Sequence, residues 1–294
     1  MVHLSPAVTA IRPATSSGQT LLGLIGEGIG PSRTPRLHMQ EGQAQGLNIR
    51  YDLFDLHERN LSVADLPRLL AEIEAAGYAG VNVTHPCKQA IIPLLSELSP
   101  DARALGAVNT VLFRDGQRIG HNTDWSGFSE SFRRRLGDAD MTHAVQIGAG
   151  GAGSAVAYAL LKLGTKKLTL IDADLSRAEA LAARYAPLFP GVAIEAALTP
   201  DAPLQTATGL VNCTPMGMEA HPGLPLAAEL LRPSLWVAEI VYFPLETALV
   251  QTARALGCQV SDGGGMAVFQ AVSAFRLFTG REPDAERMLA SFAG

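Results

Sequence analysis

Three observations in the amino-acid sequence predict an α/β protein of two domains. Short apolar runs alternate with amphipathic helical patterns along nearly the whole chain, the signature of βαβ units in a largely parallel sheet. A glycine cluster, Gly148-Ala149-Gly150-Gly151-Ala152-Gly153, lies between one such run and one such helix. The length of 294 residues suits one large or two ordinary domains.

In chain order, Met1 to Gln19 are rich in Ser, Thr and Pro and are expected to be partly a loose tail. Strands are predicted at Leu21 to Ile25, Ile49 to Leu53 and Ala79 to Val83, where Val, Ile and Leu dominate. Thr34 before Pro35 suits an N-cap with proline at the first helical position. Asp124 likewise suits an N-cap for a helix from Trp125 to Leu136. Further strands are predicted at Val145 to Ile147, Leu168 to Ile171, Gly209 to Val211 and Leu235 to Ile240. In the helix predicted from Gly151 to Leu163, Ala152, Ala155, Val156, Ala159, Leu160 and Leu163 follow the i, i+3, i+4, i+7 template, so one face must pack on a sheet. An apolar helix from Met266 to Phe278 follows the flexible stretch Asp262-Gly263-Gly264-Gly265. The chain passes from one βα series to another around Gly120 to Asp124. The late helix is too short to be a domain and is expected to pack back on the first. The predicted organisation is therefore 1–123 with 263–294 as one domain, and 124–262 as an inserted nucleotide-binding domain. No sequence repeat recurs at a fixed period.

Composition excludes several functions. With 23 Lys+Arg against 28 Asp+Glu the formal charge is −5, so nucleic acid is not an expected partner. Cys87, Cys213 and Cys258 are odd in number and lack C-x-x-C spacing, which indicates neither a disulfide framework nor a zinc ribbon and suits a reducing cytoplasm. No run approaches the ~18–20 apolar residues of a membrane span. The seven histidines show no H-E-x-x-H spacing, and no metal is expected. Arg133-Arg134-Arg135 reads as a solvated helix end rather than a nucleic-acid patch.

The glycine cluster satisfies G-x-G-x-x-G after the strand His143 to Ile147. The first glycine makes the tight turn, the second lets backbone approach a pyrophosphate, and the third brings helix and strand close, with free N–H groups at the helix start facing the phosphates. Asp172 ends the next strand at the spacing expected of the acid that binds ribose hydroxyls. A carboxylate there accepts from both hydroxyls of NAD and repels the 2′-phosphate of NADP, so NAD is preferred. Two other readings stay open: Asp172 merely ends a strand, or Arg177 reaches a 2′-phosphate.

In the flanking domain, Gly80 to Lys88 reads as a strand ending in polar residues, a proline and a lysine, at the strand end where open α/β sheets take ligands. Singly, each residue has an ordinary explanation. Lys88 suits a solvated surface, Ser32 and Thr34 suit a helix start, and Asn109 suits a turn. Gln270 is an amide on a helix otherwise carrying Met266, Val268, Phe269, Val272, Phe275 and Phe278, and a buried amide needs partners.

Taken together and in order, these motifs resemble the shikimate dehydrogenase family from Gly23 to Gly280. They are Gly30-Pro31-Ser32-Arg33-Thr34-Pro35 with His38, Asn82-Val83-Thr84-His85-Pro86-Cys87-Lys88, Gly106-Ala107-Val108-Asn109-Thr110, and Gly120-His121-Asn122-Thr123-Asp124. The glycine cluster, Asn212-Cys213-Thr214-Pro215-Met216-Gly217, Val241-Tyr242-x-Pro244, and Gly265-Met266 through Gln270 complete the set. The resemblance implies NAD(P)-linked oxidation of a ring hydroxyl on a small hydroxy acid, shikimate or quinate, to the 3-dehydro ketone. It implies Lys88 and Asp124 as the catalytic pair. Ser32, Thr34 and Tyr242 are implied as donors to the substrate carboxylate, and Asn82, Thr84, Asn109 and Gln270 as readers of ring hydroxyls. The cofactor is implied to lie against Gly148 to Gly153, Asp172, Arg177, Cys213, Thr214, Met216, Ile240, Gly263 and Met266. Because substrate and cofactor groups come from different domains, closure on binding is expected.

Thr34 stands where many members have a second serine, and with Asp172 this resembles the NAD-preferring quinate/shikimate branch. Cys87 stands where an aromatic or histidine is common, Met39 where asparagine is usual, and Glu239 where aspartate is usual. An amino-substituted shikimate analogue as substrate, or an NADP-dependent biosynthetic enzyme, are the alternatives within the family. The methylenetetrahydrofolate dehydrogenase class shares the two-domain plan and a catalytic lysine, but the hydroxyl-reading set suits a small polyol acid. A catalytically silent module sensing NAD or a cyclitol acid is the alternative outside enzymes, against which both Lys88 and Asp124 speak. Monomer and homodimer both remain open.

Overall fold

Leu22 and Leu24 point to one face of the first strand and Leu21 and Ile25 to the other; all four are buried, as a strand covered on both faces requires. The computed structural model that shows this describes residues 18–293, so the tail expected at the start lies outside the described residues but for Gly18 and Gln19. This strand, β1 (Gln19–Gly26), pairs in parallel with β2 (Asn48–Asp55) on one side and β3 (Gly80–Val83) on the other. The crossovers run through α1 (Thr34–Ala44) and α2 (Leu66–Ala75). After α3 (Cys87–Ala90), β4 (Glu97–Leu98) and α4 (Pro100–Leu105) comes a hairpin of β5 (Thr110–Arg114) and β6 (Gln117–His121). The sheet order is β2-β1-β3-β5-β6-β4, with β5 antiparallel to both neighbours, so this sheet is mixed.

The second sheet is wholly parallel. After α5 (Asp124–Leu136), it is laid down as β7 (His143–Ile147), α6 (Gly151–Lys162), β8 (Lys167–Ile171), α7 (Leu175–Tyr185) and β9 (Ala193–Ala197). The other half is α8 (Asp201–Thr206), β10 (Gly209–Asn212), β11 (Trp236–Glu239), α9 (Ala248–Ala255) and β12 (Gln259–Ser261). The order β12-β11-β10-β7-β8-β9 is that of a doubly wound dinucleotide-binding sheet. Its core gathers Val145, Leu210, Val237 and Leu249.

Two helices finish the chain, α10 (Gly263–Thr279) and α11 (Ala285–Ala293). The second half of α10 lays Ala274, Phe275 and Phe278 on the β1 face that carries Leu22 and Leu24. Between α1 and α11, the buried Glu41 carboxylate accepts from the Arg287 guanidinium at 2.7 and 2.9 Å and from the Asp284 N–H at 2.9 Å. Arg33 and Arg36 of the α1 start donate to the carbonyls of Phe292 and Ser291. The late helices thus pack on the first sheet.

The chain divides into two compact units, one up to Thr123 together with the segment from Ala271, the other Asp124–Gln270. The second division falls inside α10, not at the glycines before it. Those glycines are helical, and two of them are closely packed within the second unit: a Cβ on Gly265 would lie 2.1 Å from Ser131 Oγ, and one on Gly263 would lie 2.3 Å from the Val241 carbonyl. They serve close approach rather than flexibility. Among the described residues, no helix is long and apolar enough to cross a membrane.

Candidate active site

In the second unit β7 lies between β8 and β10, so its crossovers leave in opposite directions. The crevice outside the carboxyl ends of β7 and β10 is the switch point at which such sheets take ligands. The glycine loop opens there. Gly148 has φ +100°, a left-handed conformation, and a Cβ on it would lie 2.7 Å from the Cys213 carbonyl. A Cβ on Gly153 would lie 2.2 Å from the Gly148 oxygen, which gives the third glycine its packing role. Buried Gln146, missed in the sequence although it is polar within an apolar strand, donates to the carbonyls of both Gly148 and Gly153 at 2.8 Å.

Gly150 caps α6 with extended backbone and no side-chain bond, and a Cβ on it or on Gly151 would meet nothing within 4 Å. Open space therefore faces the start of a helix, whose first N–H groups have no acceptor within the helix itself. The loop fits a pyrophosphate. Ala149 and Ala152 fill the positions between, and the Ala149 N–H donates to Asp172 Oδ2 at 2.8 Å. Asp172 also accepts from the Asp174 N–H at 3.0 Å, so it does more than end β8. Each of its oxygens keeps acceptor capacity for a ribose hydroxyl. Arg177 is exposed and pairs with Asp174 at 3.5 Å.

After β10, Thr214 Oγ1 donates to Asn212 Oδ1 at 2.7 Å and accepts from the Met216 N–H at 3.1 Å. Cys213 is buried, and burial first, then the charge of Glu239, push its thiol well above the ordinary value. A buried thiol held protonated in this way lacks the low-pKa setting of a reactive cysteine. Ile240 follows β11, and Gly263 and Met266 lie in the first turn of α10.

The first unit repeats the arrangement: β1 lies between β2 and β3, which puts a switch point at the carboxyl ends of β1 and β3. Ser32 and Thr34 follow β1. The helix starts one residue earlier than expected: Thr34 is itself helical, Arg33 holds the cap position without a side-chain bond, and Ser32 Oγ accepts from the Thr34 N–H at 3.3 Å. Proline lacks an N–H that is unneeded anywhere in the first turn, so Pro35 does not fix the cap at Thr34. Arg33 and Arg36 are turned to α11, which leaves hydroxyls at this loop. Asp55 at the end of β2 holds the loop from beneath, accepting from the N–H groups of Ile29 at 2.7 Å and His57 at 3.0 Å.

Asn82 on β3 and Asn109 before β5 form one buried network. The Tyr51 hydroxyl donates to Asn82 Oδ1 at 2.7 Å, and Asn82 Nδ2 donates to Thr110 Oγ1 at 3.0 Å and the Asn109 carbonyl at 3.2 Å. Asn109 Oδ1 accepts from the Thr123 N–H at 2.8 Å and the Thr110 hydroxyl at 3.0 Å, while its Nδ2 donates to Thr123 Oγ1 at 3.0 Å. Asn109 is thus a buried junction rather than a turn residue. Half-buried Thr84 follows β3, where a Cβ on Gly26 would lie 2.3 Å from its methyl. Half-buried Lys88 sits on α3, anchored through its carbonyl to the Val108 N–H at 2.8 Å.

The remaining predicted residues belong to the second unit. Asp124 is buried at 8% exposure and, being the first helical residue of α5, is not a cap ahead of it. Tyr242 follows β11 and is 49% exposed. Gln270 is half-buried and donates to the Ala267 carbonyl of its own helix at 3.0 Å, so its amide needs no second helix.

Comparison with known proteins agrees with this geometry. A model of the shikimate dehydrogenase substrate binding domain matches residues 24–111, and one of the shikimate 5′-dehydrogenase C-terminal domain matches residues 263–291. The chain is 56% identical over 276 residues to a shikimate dehydrogenase (NADP(+)) of Streptomyces avermitilis, covering 93% of this chain and 94% of the relative. It is 48% identical over 275 residues to a quinate/shikimate dehydrogenase (NAD(+)) of Corynebacterium efficiens, covering 92% and 97%. The structure of quinate dehydrogenase from Corynebacterium glutamicum in complex with NAD superposes with a TM-score of 0.90 at 46% identity, covering 94% of this chain and 99% of that one. With two switch points, a dinucleotide loop in the second unit and relatives this similar along nearly the whole length, the chain belongs to the shikimate dehydrogenase family of oxidoreductases, which use a nicotinamide dinucleotide.

Proposed function

We propose that the protein interconverts quinate or shikimate with the corresponding 3-dehydro ketone by hydride transfer, with NAD as cofactor. The observation that carries the substrate class is the end of the first sheet at the carboxyl ends of β1 and β3, where hydroxyls and amides (Ser32, Thr34, Asn82, Thr84, Asn109) lie with one amine, Lys88, while Arg33 and Arg36 face elsewhere. Such a set suits one carboxylate and several ring hydroxyls. Ser32, Thr34 and, from the second unit, Tyr242 bind the carboxylate; Asn82, Thr84, Asn109 and Gln270 read the hydroxyls.

Bound at the glycine loop, the nicotinamide dinucleotide supplies the hydride acceptor. Lys88 takes the proton from the ring hydroxyl on oxidation and returns it on reduction, while Asp124 orients the amine and holds a neighbouring hydroxyl. The N–H groups at the start of α6 hold the pyrophosphate, and Asp172 accepts from the ribose hydroxyls. Cys213, Thr214, Met216, Ile240, Gly263 and Met266 line the remainder.

The preference for NAD rests on Asp172, whose carboxylate stands against the glycine loop at the end of β8 and would repel a 2′-phosphate, and on Arg177, which pairs with Asp174. The second reading, NADP-linked shikimate oxidation, is favoured by the relative from Streptomyces avermitilis and by the exposure of Arg177. The three buried free thiols suit a reducing cytoplasm.

Lys88→Ala tests the assignment. Its kcat with quinate and shikimate should fall roughly 10²–10⁴-fold with Tm unchanged. Near-parental turnover removes Lys88 from the chemistry.

A further inference from the structure

Glu239, the last residue of β11, is 2% exposed and serves as the common acceptor for three separate segments. From the end of β10, Asn212 Nδ2 donates to both its oxygens, at 2.9 and 3.1 Å. From the chain leaving β11, the N–H groups of Ile240 and Val241 donate to Oε1 at 2.9 and 3.0 Å. From the start of α9, Thr247 Oγ1 donates to Oε2 at 3.1 Å.

Two of these partners carry the order further. Asn212 Oδ1 accepts from the N–H and hydroxyl of Thr214 at 3.0 and 2.7 Å, and its Nδ2 also reaches the Met216 carbonyl at 2.9 Å. Thr247 Oγ1 accepts from the Val250 N–H at 3.2 Å and so caps α9. Gly217, at φ +102°, fits beside it where a Cβ would lie 3.1 Å from the threonine. One carboxylate thereby fixes both the segment after β10 and the segment after β11.

We propose that Glu239 is a positioning residue for the dinucleotide: its carboxylate holds the chain at Thr214 to Met216 and at Ile240 to Val241 in the conformation that receives the cofactor. This rests on the reading of the second unit as the dinucleotide-binding unit. Both carboxylate oxygens are needed, because the donors approach each of them. A carboxamide offers one acceptor and turns its own N–H groups toward the donors facing the other. Glu239→Gln therefore breaks at least one side of the arrangement. Glu239→Asp keeps both acceptors and is short by one methylene.

The test titrates NADH fluorescence at pH 8 to 8.5, where Glu239 is ionised, in the absence of hydroxy acid for the parent, Glu239→Gln and Glu239→Asp, with amide exchange followed in the same unliganded proteins. In Glu239→Gln, NADH should bind about fivefold or more weakly, the factor that corresponds to a buried donor left without an acceptor. The amides of Thr214, Met216 and Val241 should exchange faster, and KM for the dinucleotide should rise by a clearly larger factor than KM for the hydroxy acid, whose proposed contact Tyr242 follows the held segment. Glu239→Asp should recover most of the affinity. Parental NADH affinity and parental exchange in Glu239→Gln overturn the proposal, as does an equal rise in both KM values. If Glu239→Gln does not fold, the parent decides: slow exchange at Ile240, Val241 and Thr214 without ligand supports the hold, and exchange at open-loop rates overturns it. A parent that binds no NADH overturns the dinucleotide reading itself, while the exchange rates still judge Glu239.

Discussion

Asp55 and Glu239 each sit at the carboxyl end of a strand and each gather backbone N–H groups from a loop that carries proposed site residues, yet they titrate in opposite directions. At Asp55 burial raises the pKa, but the N–H groups of Ile29, Glu58, Gly28 and His57 together outweigh it, and the carboxyl lies below its ordinary value. At Glu239 burial dominates the donors from Val241, Asn212, Thr247 and Ile240 and pushes the pKa up to about 7 from 4.5. The buried Cys213 thiol faces it and stays protonated across this range. Between those two values the folded protein holds more protons at Glu239 than the unfolded chain, so its contribution to stability falls as pH rises through the window. The span amounts to a change on the order of 3 kcal/mol. Urea unfolding of the parent and Glu239→Gln at pH 5 and pH 8 should show the parent losing stability relative to the variant at the higher pH. Identical pH dependence in both would contradict the assignment. Neither carboxylate was legible as a holding group in the sequence, because their partners lie on strands and loops that only the sheet order brings alongside. Asn109 shows the same limit: its dipeptide context suits a turn, and only the pairing of β3 with β5 makes it a junction between Asn82 and Thr123.

At the scale of elements, the glycine loop was legible because its chemistry is local: strand, turn, helix and the acid that follows are contiguous in the chain. Its glycines nevertheless do different things, and substitution should separate them. Gly150→Ala places a methyl in open space, so Tm should be unchanged while NADH binding weakens as the methyl holds the pyrophosphate off the backbone. Gly153→Ala drives a methyl into the Gly148 carbonyl and should cost about 1–3 kcal/mol of stability. Thermal melts with NADH titrations check both, and equal effects in the two variants would contradict the division of roles. The β5–β6 hairpin is not among the strands predicted from the sequence, although Asp115-Gly116, both at positive φ, is a strong two-residue turn signal. The edge strand β9 is likewise absent from the predicted strands because it is half-exposed: Ala193, Glu195 and their neighbours lack the apolar run that marks a central strand.

At the scale of the molecule, each unit is an open sheet with a switch point at its first strand, and each places its proposed ligand groups at the carboxyl ends there. The alternation of strand and helix made that architecture readable, and the ordered motifs made the family readable. The second boundary was displaced because glycines in sequence signal either freedom or close packing, and around Gly263 to Gly265 the neighbours Ser131 and Val241 make it close packing. What most separates this protein from its relatives is which acid it oxidises and with which dinucleotide. The most direct test is the initial rate of reduced-cofactor formation with quinate and with shikimate, each against NAD and NADP. Turnover is expected with NAD and one or both acids, and little with NADP. Turnover confined to shikimate with NADP would contradict the role given to Asp172 and Asp174, and silence in all four combinations would contradict the substrate class itself.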